Sequence, residues 1–408
     1  MSNSDHSSRA STAITPFTPS FAPSDISRLE QSLKEVRPPQ QDVVPGAEND
    51  YGMPTAWAQN LLTYWKTSFS LEKAMTRIRQ WPHFVTTIEG IQVHFVHQES
   101  KHPNAVPLLM CHGWPGSFYE FNEVITPLSE GNGSEGPVFD VVVPSLPGFC
   151  WSSAPPRRGW TMKDTSRCFH QLMLRLGYDK YCVQAGDWGQ FIARELGASY
   201  SESCKVVHLN YCPGSLPEGV ELTDREKKCA AKGVDWRTMH VGYAVLMRTR
   251  PQTLGWMLID NPVGLMAFVG EKYEEAASPS ISSTALWLDH VLTTVCLYYF
   301  TRCIMTSCLP YFENIRHDQF SEFAMRGENL IKCPFGYTSM WYDTAPNSKR
   351  AVERTGECSR RMTVGHANDV VGNLVWYKER DYAGHFACLE DPKGMCEDIR
   401  EFVGKNFG

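Results

Sequence analysis

Apolar residues in the first hundred positions recur first with the spacing of amphipathic helices and then with the alternation of strands. A helix is predicted after Ser24 or Asp25, either of which can serve as its N-cap, and Pro38-Pro39 ends it. Its apolar face consists of Ile26, Leu29, Leu33 and Val36. Two further helices are predicted over 57–65 and 71–78, and a strand pair over 84–87 and 91–97.

Short apolar runs then alternate with helical patterns, which is typical of parallel strands joined by crossover helices. Four runs are predicted to be buried strands, over 106–111, 139–143, 181–184 and 205–211, with helices over 118–129, 165–176 and 189–200. From about 213 to 327 the sequence is helical and apolar. Strands are predicted again over 330–340 and 373–376, before a last helix over 393–402. The pattern therefore predicts an α/β sheet interrupted by a helical insertion.

This pattern divides the chain into five predicted segments. Residues 1–23 are rich in Ser, Thr and Pro and are expected to form a flexible tail. The others are an N-terminal helical segment over 24–83, a first part of the α/β core over 84–212, a helical cap over 213–327 and a second part of the core over 328–408.

Composition excludes several classes of protein. With 408 residues, 42% of them hydrophobic and 21% charged, the chain can bury a sizeable core. A formal net charge of -6 argues against binding to nucleic acid or to an anionic membrane. No apolar run is long enough to span a bilayer, and the polar first residues do not resemble a secretory signal. We therefore expect a soluble, cytoplasmic protein.

The 14 cysteines are scattered and show neither a CxxC motif nor the paired spacing of a metal site. Several of them lie in or beside apolar runs, so we interpret them as buried thiols in a reducing compartment. The Asn132-Gly133-Ser134 sequon is then a chance match. His94 and His97 are expected to face opposite sides of a strand, which argues against a metal site there.

The strongest chemical signal is Ala185-Gly186-Asp187-Trp188-Gly189, between a predicted strand and a predicted helix. Small residues around a central nucleophile are what a sharp strand-to-helix turn requires. Here the central residue is Asp187, and a carboxylate can attack carbon to form an ester that water then hydrolyses. An ordinary helix N-cap is the alternative interpretation of this aspartate.

A second signal, His112-Gly113-Trp114-Pro115-Gly116-Ser117, follows the predicted strand over 106–111. A turn rich in Gly and Pro can direct a backbone N–H toward the space above the nucleophile. The backbone N–H groups of Trp114 and Trp188 are therefore predicted to form an oxyanion hole. We interpret His112 as structural, since it can hold the loop by hydrogen bonding.

The general base is expected last in the chain, because the nucleophile-elbow arrangement runs in the order nucleophile, acid, histidine. His385, in Ala383-Gly384-His385-Phe386-Ala387, fits this position best. The acid is expected after the preceding strand, where Asp343 lies, with Asp369 as the rival. Asp369 precedes the next strand and would lie at the wrong edge of the sheet, so we prefer Asp343.

Together these motifs resemble epoxide hydrolases of the microsomal and juvenile-hormone type, in the α/β-hydrolase superfamily. The resemblance runs from about Ile14 to Phe407 and includes the N-terminal segment of that subfamily. Its motifs are Ile14-Thr-Pro-Phe17, Tyr51-Gly52, Tyr64-Trp65, Phe95-Val-His97, His112-Gly-Trp-Pro115, Pro144-Ser-Leu-Pro-Gly-Phe149, Gly186-Asp-Trp-Gly189 and Gly384-His-Phe-Ala387. The resemblance implies a soluble, fungal-like member with an α/β-hydrolase fold, a helical cap and no cofactor or metal.

The resemblance also implies the roles of particular residues. In that family the elbow aspartate attacks the epoxide carbon, which maps to Asp187, and the base and acid map to His385 and Asp343. Two cap tyrosines hold or protonate the epoxide oxygen, and these map to Tyr243 and Tyr311. Three departures from the family pattern are Ala383 in place of a glycine, Val245 where some fungal relatives have a tyrosine, and a long segment over 344–371.

Two other functions remain open from the sequence. Haloalkane dehalogenases share the aspartate nucleophile, and a tryptophan beside it, like Trp188, can bind the halide. A hydrolase-fold receptor would bind a small molecule without turnover, but it needs no hydrolytic base. The apolar, aromatic cap favours a hydrophobic epoxide, such as a lipid, terpenoid, aromatic or secondary-metabolite epoxide. The sequence leaves open which epoxide this is and whether the chain forms a homodimer.

Overall fold

The computed structural model describes residues 13–131, 133, 135–212, 216, 219–317, 330–353 and 372–408. Within these ranges nine strands form one mixed sheet in the order β1-β2-β3-β5-β4-β6-β7-β8-β9. The strands are β1 (Thr15–Phe17), β2 (His83–Ile88), β3 (Ile91–Gln98), β4 (Val106–Cys111), β5 (Phe139–Pro144), β6 (Tyr181–Ala185), β7 (Cys204–Leu209), β8 (Ile331–Met340) and β9 (Gly372–Arg380). From β5 to β9 all neighbouring strands are parallel, as their apolar sequences predict.

The N-terminal region adds an antiparallel edge to this sheet. β1 pairs with β2, β2 with β3, and β3 with β5, each antiparallel. The predicted flexible tail over 1–23 is therefore wrong from Thr15 onward, because this segment gains a strand partner that local sequence does not reveal. The helix predicted after Ser24 or Asp25 begins earlier, at Pro23, with Ala22 as its N-cap. Proline is favoured at a first helical position since it lacks the N–H that would be unpaired there.

Helices pack on the sheet and form the insertion between β7 and β8. Before the insertion the helices are α1 (Pro23–Glu35), α2 (Thr55–Thr67), α3 (Leu71–Ile78), α4 (Ile125–Glu130), α5 (Met162–Arg175) and α6 (Gly189–Ser199). The insertion contains α7 (Asp224–Asp235), α8 (Gly242–Thr249), α9 (Pro251–Leu258), α10 (Pro262–Glu275), α11 (Ala285–Thr301) and α12 (Leu309–His317). After β8 come α13 (Lys349–Glu353), α14 (Ala387–Glu390) and α15 (Pro392–Asn406).

Shorter helical turns occur at four places in the described chain. The 3₁₀ turns are Glu48–Tyr51, Phe118–Phe121 and Thr306–Cys308, and Trp236–His240 is a π-helical turn. The continuous helix predicted over 118–129 is thus wrong, because it is split into a 3₁₀ turn and α4. Two predicted strands also differ in length: β7 ends at Leu209 rather than 211, and β9 extends to Arg380.

The thiol interpretation of the cysteines agrees with the described residues. Thirteen cysteines lie there, and all are buried and free. Of the predicted sequon, Asn132 and Ser134 lie outside the described ranges, as does much of the long 344–371 segment. His94 and His97 are both buried but bond to different partners, His83 and Tyr178. Their side chains do not converge on one site, in agreement with the prediction from their spacing on β3.

Candidate active site

The turn after β6 presents Asp187 above the centre of the sheet. Its backbone has φ +44°, a left-handed conformation that residues other than glycine rarely adopt. Two glycines make room for this turn. A Cβ at Gly113 would overlap the Asp187 carboxylate, and a Cβ at Gly189 would overlap the Cys111 carbonyl oxygen. The small residues around Asp187 are therefore required by close backbone approach, and the N-cap alternative does not explain them.

The loop after β4 directs one backbone N–H at this carboxylate. The Trp114 N–H donates to Asp187 Oδ1 at 2.8 Å. His112 holds the loop, as predicted: its Nε2 accepts from the Leu146 N–H at 3.1 Å, and burial lowers its pKa to about 4. Trp188 directly follows Asp187, and its ring lies edge-on to Tyr311 with centroids 4.7 Å apart. The Trp188 N–H stays a predicted second donor.

His385 lies between two carboxylates. Its Nε2 is 3.5 Å from Asp187 Oδ2, and its Nδ1 is 2.7 Å from Asp343 Oδ1. Burial alone would lower the pKa of His385, but the negative charges of Asp343 and Asp187 outweigh it and raise that pKa well above the usual value. The histidine is thus charged when both carboxylates are ionised. Neutralising Asp187 would remove one source of this increase and favour the neutral imidazole.

Asp343 is almost fully buried, with a side chain that is 1% exposed. It follows β8, and its Oδ1 also accepts the Thr344 N–H at 2.6 Å. A buried carboxylate bonded to Nδ1 fixes which imidazole nitrogen faces the nucleophile. The rival residue, Asp369, lies outside the described residues.

The cap brings both predicted tyrosines over the elbow. The rings of Tyr243, on α8, and Tyr311, on α12, have centroids 5.9 Å apart, and Tyr243 stacks on Trp114 at 5.2 Å. Burial and the nearby Asp187 charge raise the pKa of Tyr243, and the pKa of Tyr311 is raised well above its usual value by burial and by neighbouring Tyr243 and Asp187. Both phenols therefore keep their protons at neutral pH.

Comparisons with known proteins identify the family of this chain. Two family models match the chain, the epoxide hydrolase N terminus over residues 14–121 and the alpha/beta hydrolase fold over residues 106–223. The structure of Aspergillus niger epoxide hydrolase is 30% identical, with a TM-score of 0.83, and the match covers 97% of each chain. The chain belongs to the epoxide hydrolase family. The predicted α/β-hydrolase fold and epoxide hydrolase identity are thereby confirmed.

Two further epoxide hydrolases match nearly the whole chain. Epoxide hydrolase 1 of Sus scrofa is 29% identical, over 96% of this chain and 89% of its own length. The juvenile hormone epoxide hydrolase of the silkworm Bombyx mori is 25% identical, with a TM-score of 0.84, over 97% of this chain and 95% of that chain. The subfamily predicted from the N-terminal motifs is therefore the one that the comparisons find.

A pocket lies over Asp187 and His385, and Tyr211 and Lys272 are among its lining residues that sequence reasoning missed. Tyr211 lies edge-on to His385, with ring centroids 5.3 Å apart, and Lys272 Nζ is 4.5 Å from the Tyr243 ring centroid. Tyr211 follows a parallel strand, where sites of α/β proteins form, so its position carried a signal. The lining residues are Trp114, Pro115, Asp187, Tyr211, Trp236, Tyr243, Lys272, Ala276, Thr344, His385 and Phe386.

Glu390 is a further residue that the sequence did not single out. Its carboxylate accepts backbone N–H groups from Ser278 at 2.8 Å, Gly384 at 2.9 Å and Phe386 at 3.2 Å. Burial raises its pKa to about 7, although these N–H donors oppose the increase. The His385 N–H in turn donates to the Ala276 carbonyl at 2.9 Å. The histidine loop is thus tied directly to the cap.

Two further properties concern metal ligands and membrane spans in the described residues of this epoxide hydrolase. No group of three or more His, Cys, Asp or Glu side chains in those ranges could hold a metal ion. Within the same ranges, no single helix is long and apolar enough to cross a membrane. One pair of helices, Ala285–Thr301 and Thr306–Arg316, is long and apolar enough when the two are taken together, but they meet at a bend of 111°.

Proposed function

We propose that this chain converts a hydrophobic epoxide into a vicinal diol through a covalent ester on Asp187. The proposal is carried by one observation: His385 lies between two carboxylates, with Nε2 3.5 Å from Asp187 Oδ2 and Nδ1 2.7 Å from Asp343 Oδ1. The proposed roles are Asp187 as nucleophile, His385 as base, Asp343 as its acid partner, Tyr243 and Tyr311 as proton donors, and the backbone N–H groups of Trp114 and Trp188 as oxyanion hole.

In the first step Asp187 Oδ2 attacks an epoxide carbon, and the carbon–oxygen bond of the ring breaks. A tyrosine phenol gives its proton to the oxygen that is released, which leaves a tyrosinate. The proton on charged His385 then returns that tyrosinate to phenol, so the base becomes neutral imidazole. The Trp114 N–H, already 2.8 Å from Asp187 Oδ1, remains on what is now the ester carbonyl oxygen.

In the second step water attacks the ester carbonyl carbon and gives one proton to His385 Nε2. The developing oxyanion is stabilised by backbone N–H donors. Collapse of the intermediate breaks the bond to the diol, whose oxygen takes the remaining hydroxyl proton. Asp187 is again a carboxylate and His385 is again charged, so the cycle consumes one epoxide and one water.

The substrate is proposed to be hydrophobic because the cavity walls are largely aromatic. Trp114, Tyr211, Trp236, Tyr243 and Phe386 contribute rings to the cavity. Such a pocket binds an apolar body, while a few polar groups orient the reacting part. The epoxide oxygen would face the phenols, and the attacked carbon would face Asp187.

The first experiment tests the covalent ester. A single turnover of an aromatic epoxide in heavy-oxygen water should place the label in the Asp187 carboxylate and leave the first diol unlabelled. Asp187→Asn should abolish turnover without loss of folding. Label in the first diol would instead mean direct attack of water on the epoxide, which is incompatible with the proposal.

The second experiment separates the two steps. His385→Gln should still alkylate Asp187 but should not hydrolyse the ester, since its base is missing. Mass spectrometry should then show protein heavier by one substrate molecule. Repeated turnover by this variant would exclude His385 as the base, and turnover of haloalkanes in place of epoxides by the wild-type protein would favour dehalogenation.

A further inference from the structure

Lys272 is a buried cation that lines the pocket over Asp187 and that the steps above do not use. It lies on α10, in the cap, and only 4% of its surface is exposed. Its ammonium group forms ion pairs with Glu271 Oε1 and Glu275 Oε2, each at 2.6 Å. A buried charge is costly unless it is paired, so these two carboxylates stabilise the ammonium at this position.

The same ammonium group lies over two aromatic rings of the pocket. Its Nζ is 4.5 Å from the ring centroid of Tyr243 and 5.3 Å from that of Trp236. An ammonium group has three N–H bonds, and the two carboxylates can accept two of them. The third is available to the face of the nearer ring, within the distance of cation–π attraction. Lys272 therefore contacts one of the two phenols that are proposed to protonate the epoxide oxygen.

The other proposed donor, Tyr311, has different neighbours. Its ring centroid is 4.7 Å from that of Trp188, 5.9 Å from that of Tyr243 and 6.1 Å from that of Trp114. No cation–ring contact in the described parts of the chain involves Tyr311, whereas Tyr243 has Lys272. Burial raises the pKa of both phenols, but hydrogen bonding between them lowers that of Tyr243 and raises that of Tyr311. The cation and the hydrogen bond thus both favour an anion on Tyr243.

Other charges around Tyr243 oppose that anion. Burial and then the Asp187 charge are the main causes of its raised pKa. Glu275 and Glu271 raise this pKa further, but each is ion-paired with Lys272. The positive charge of Lys272 therefore offsets two negative charges that disfavour a tyrosinate. The charged and titratable groups that act on Tyr243 are Asp187, Tyr211, Glu271, Lys272, Glu275 and Tyr311.

Epoxide opening needs such an offset at its proton donor. As Asp187 attacks carbon, the carbon–oxygen bond breaks and the released oxygen takes the proton of a phenol. The negative charge then lies on the tyrosinate until His385 returns a proton. A cation that is already fixed on the ring face stabilises this charge as it develops.

We propose that Lys272 is a positioning residue, which makes Tyr243 the phenol that gives its proton to the epoxide oxygen and leaves Tyr311 as a hydrogen-bond donor that keeps its proton. The inference rests on the proposed ester mechanism and assigns different parts to the two tyrosines. It predicts that Lys272 affects alkylation and not ester hydrolysis, and that its effect depends on Tyr243.

The test measures alkylation and ester hydrolysis separately, in rapid-quench experiments with excess enzyme and the aromatic epoxide of the labelling experiment. Lys272→Met is combined with Glu275→Gln, so that loss of the cation does not leave two unpaired carboxylates. Relative to Glu275→Gln alone, this double variant should alkylate about tenfold or more slowly and hydrolyse the ester within about twofold. Glu274→Gln is the matched control on the same helix, because Glu274 accepts from Asn49 Nδ2 at 3.1 Å instead.

A double-mutant cycle identifies the tyrosine that carries the effect. In the Tyr311→Phe background, loss of the Lys272 cation should again slow alkylation about tenfold, whereas in the Tyr243→Phe background it should slow it less than about twofold. Lys272→Arg keeps the cation and should alkylate within about threefold of wild type. An arginine variant that has the wild-type melting temperature and is as slow as the methionine variant would contradict the proposal.

Two results would overturn the role of Lys272: alkylation by the double variant at the rate of Glu275→Gln, or equal slowing of alkylation and hydrolysis. A full effect in the Tyr243→Phe background would contradict it as well. If the double variant does not fold, Lys272→Gln with Glu275→Gln supplies a neutral side chain that still donates hydrogen bonds. The ester mechanism fails separately, if wild-type enzyme and His385→Gln form no adduct at all.

Discussion

At the scale of single residues, the site depends on backbone conformations that only certain neighbours permit. Asp187 is held at φ +44°, and non-glycine residues in this region are strained. Gly113 and Gly189 make this conformation possible, because a Cβ at Gly113 would collide with Asp187 and a Cβ at Gly189 would collide with Cys111 at the end of β4. This local demand for small residues is what made the elbow and the Trp114 loop recognisable from sequence.

Other residues at the site carry no such local signature. Glu390 is an ordinary glutamate in the sequence, and its significance comes from the backbone N–H groups that folding brings to it. Lys272 is a similar case, because it is buried between Glu271 and Glu275, each at 2.6 Å, and faces Tyr243. Asp343 could be chosen over its rival only by its place after a strand.

The tyrosine pair gives a prediction at this scale. Tyr243→Phe and Tyr311→Phe should each slow alkylation by about 10²–10³, since each removes a donor from a developing oxyanion. The double variant should be nearly inactive toward epoxides. Raised phenol pKa values keep both donors protonated, so the effect should persist at all pH values where the fold is stable.

Single-turnover alkylation rates provide the measurement, with Tyr51→Phe as the control because Tyr51 is 64% exposed and does not line the pocket over Asp187. Any haloalkane turnover should be insensitive to both tyrosines, because halide departs without a proton. Wild-type epoxide opening by both single variants would exclude the pair as proton donors.

At the scale of elements, Asp187, Asp343 and His385 lie on loops that follow parallel strands, and the cap is joined to one of these loops. Glu390 collects N–H groups from Ser278 in the cap and from Gly384 and Phe386 beside His385. On the opposite side of the cavity, Asn314 of α12 accepts the Met162 N–H at 2.9 Å and so fixes the helix that carries Tyr311. Contacts between core and cap therefore hold both the His385 loop and the helix that carries Tyr311.

Glu390→Gln tests this connection. An amide presents an NH₂ group to converging backbone N–H donors, so at least one of these bonds should be lost and the histidine loop should shift. We expect ester hydrolysis to slow about tenfold or more, from the loss of one buried hydrogen bond. The melting temperature should also fall, because the unpaired donors are buried.

Rapid-quench rates and thermal unfolding measure these two effects. Glu397→Gln on α15 is a suitable control, since the Glu397 side chain is 52% exposed and only weakly paired with Lys393 at 4.0 Å. If Glu390→Gln lowers the melting temperature while hydrolysis stays at the wild-type rate, Glu390 stabilises the loop without orienting His385.

At the scale of the whole molecule, hydrophobic pattern was enough to predict the central sheet and its helical insertion. The strand over 106–111 and the helix beginning at Gly189 were predicted at their observed positions, because buried parallel strands and crossover helices have strong local patterns. The β1 strand was not predictable, since three residues acquire strand structure only through pairing with β2. The break between Phe121 and α4 likewise reflects packing and not local preference.

A last consequence of the whole fold is that several histidines are buried in neutral form. Burial lowers the pKa of His112 and of His208 to about 4 and that of His290 to about 3. An unfolded chain binds protons on these groups as pH falls below about 6.5, whereas the folded chain does not. His385 acts in the opposite direction, because its raised pKa favours the folded state until pH rises through that value.

Below about pH 6.5 His385 is charged in both states, so between about pH 6.5 and 4 each of these three histidines lowers the free energy of unfolding as pH decreases, while Glu120 and Glu390, whose pKa values burial raises to about 8 and about 7, act in the opposite direction. His290 is the best probe: both ring nitrogens lack a partner among the described residues, and its ring stacks on Tyr119 at 5.1 Å. His290→Phe keeps the ring and removes the proton site. Relative to wild type, the free energy of unfolding of this variant should rise by on the order of 1.4 kcal/mol for each unit by which pH falls through this range. Urea unfolding at several pH values measures the difference, with His102→Gln as the control because His102 is exposed. If the free energy of unfolding of wild type and of His290→Phe depends on pH in the same way, His290 is not a source of acid lability.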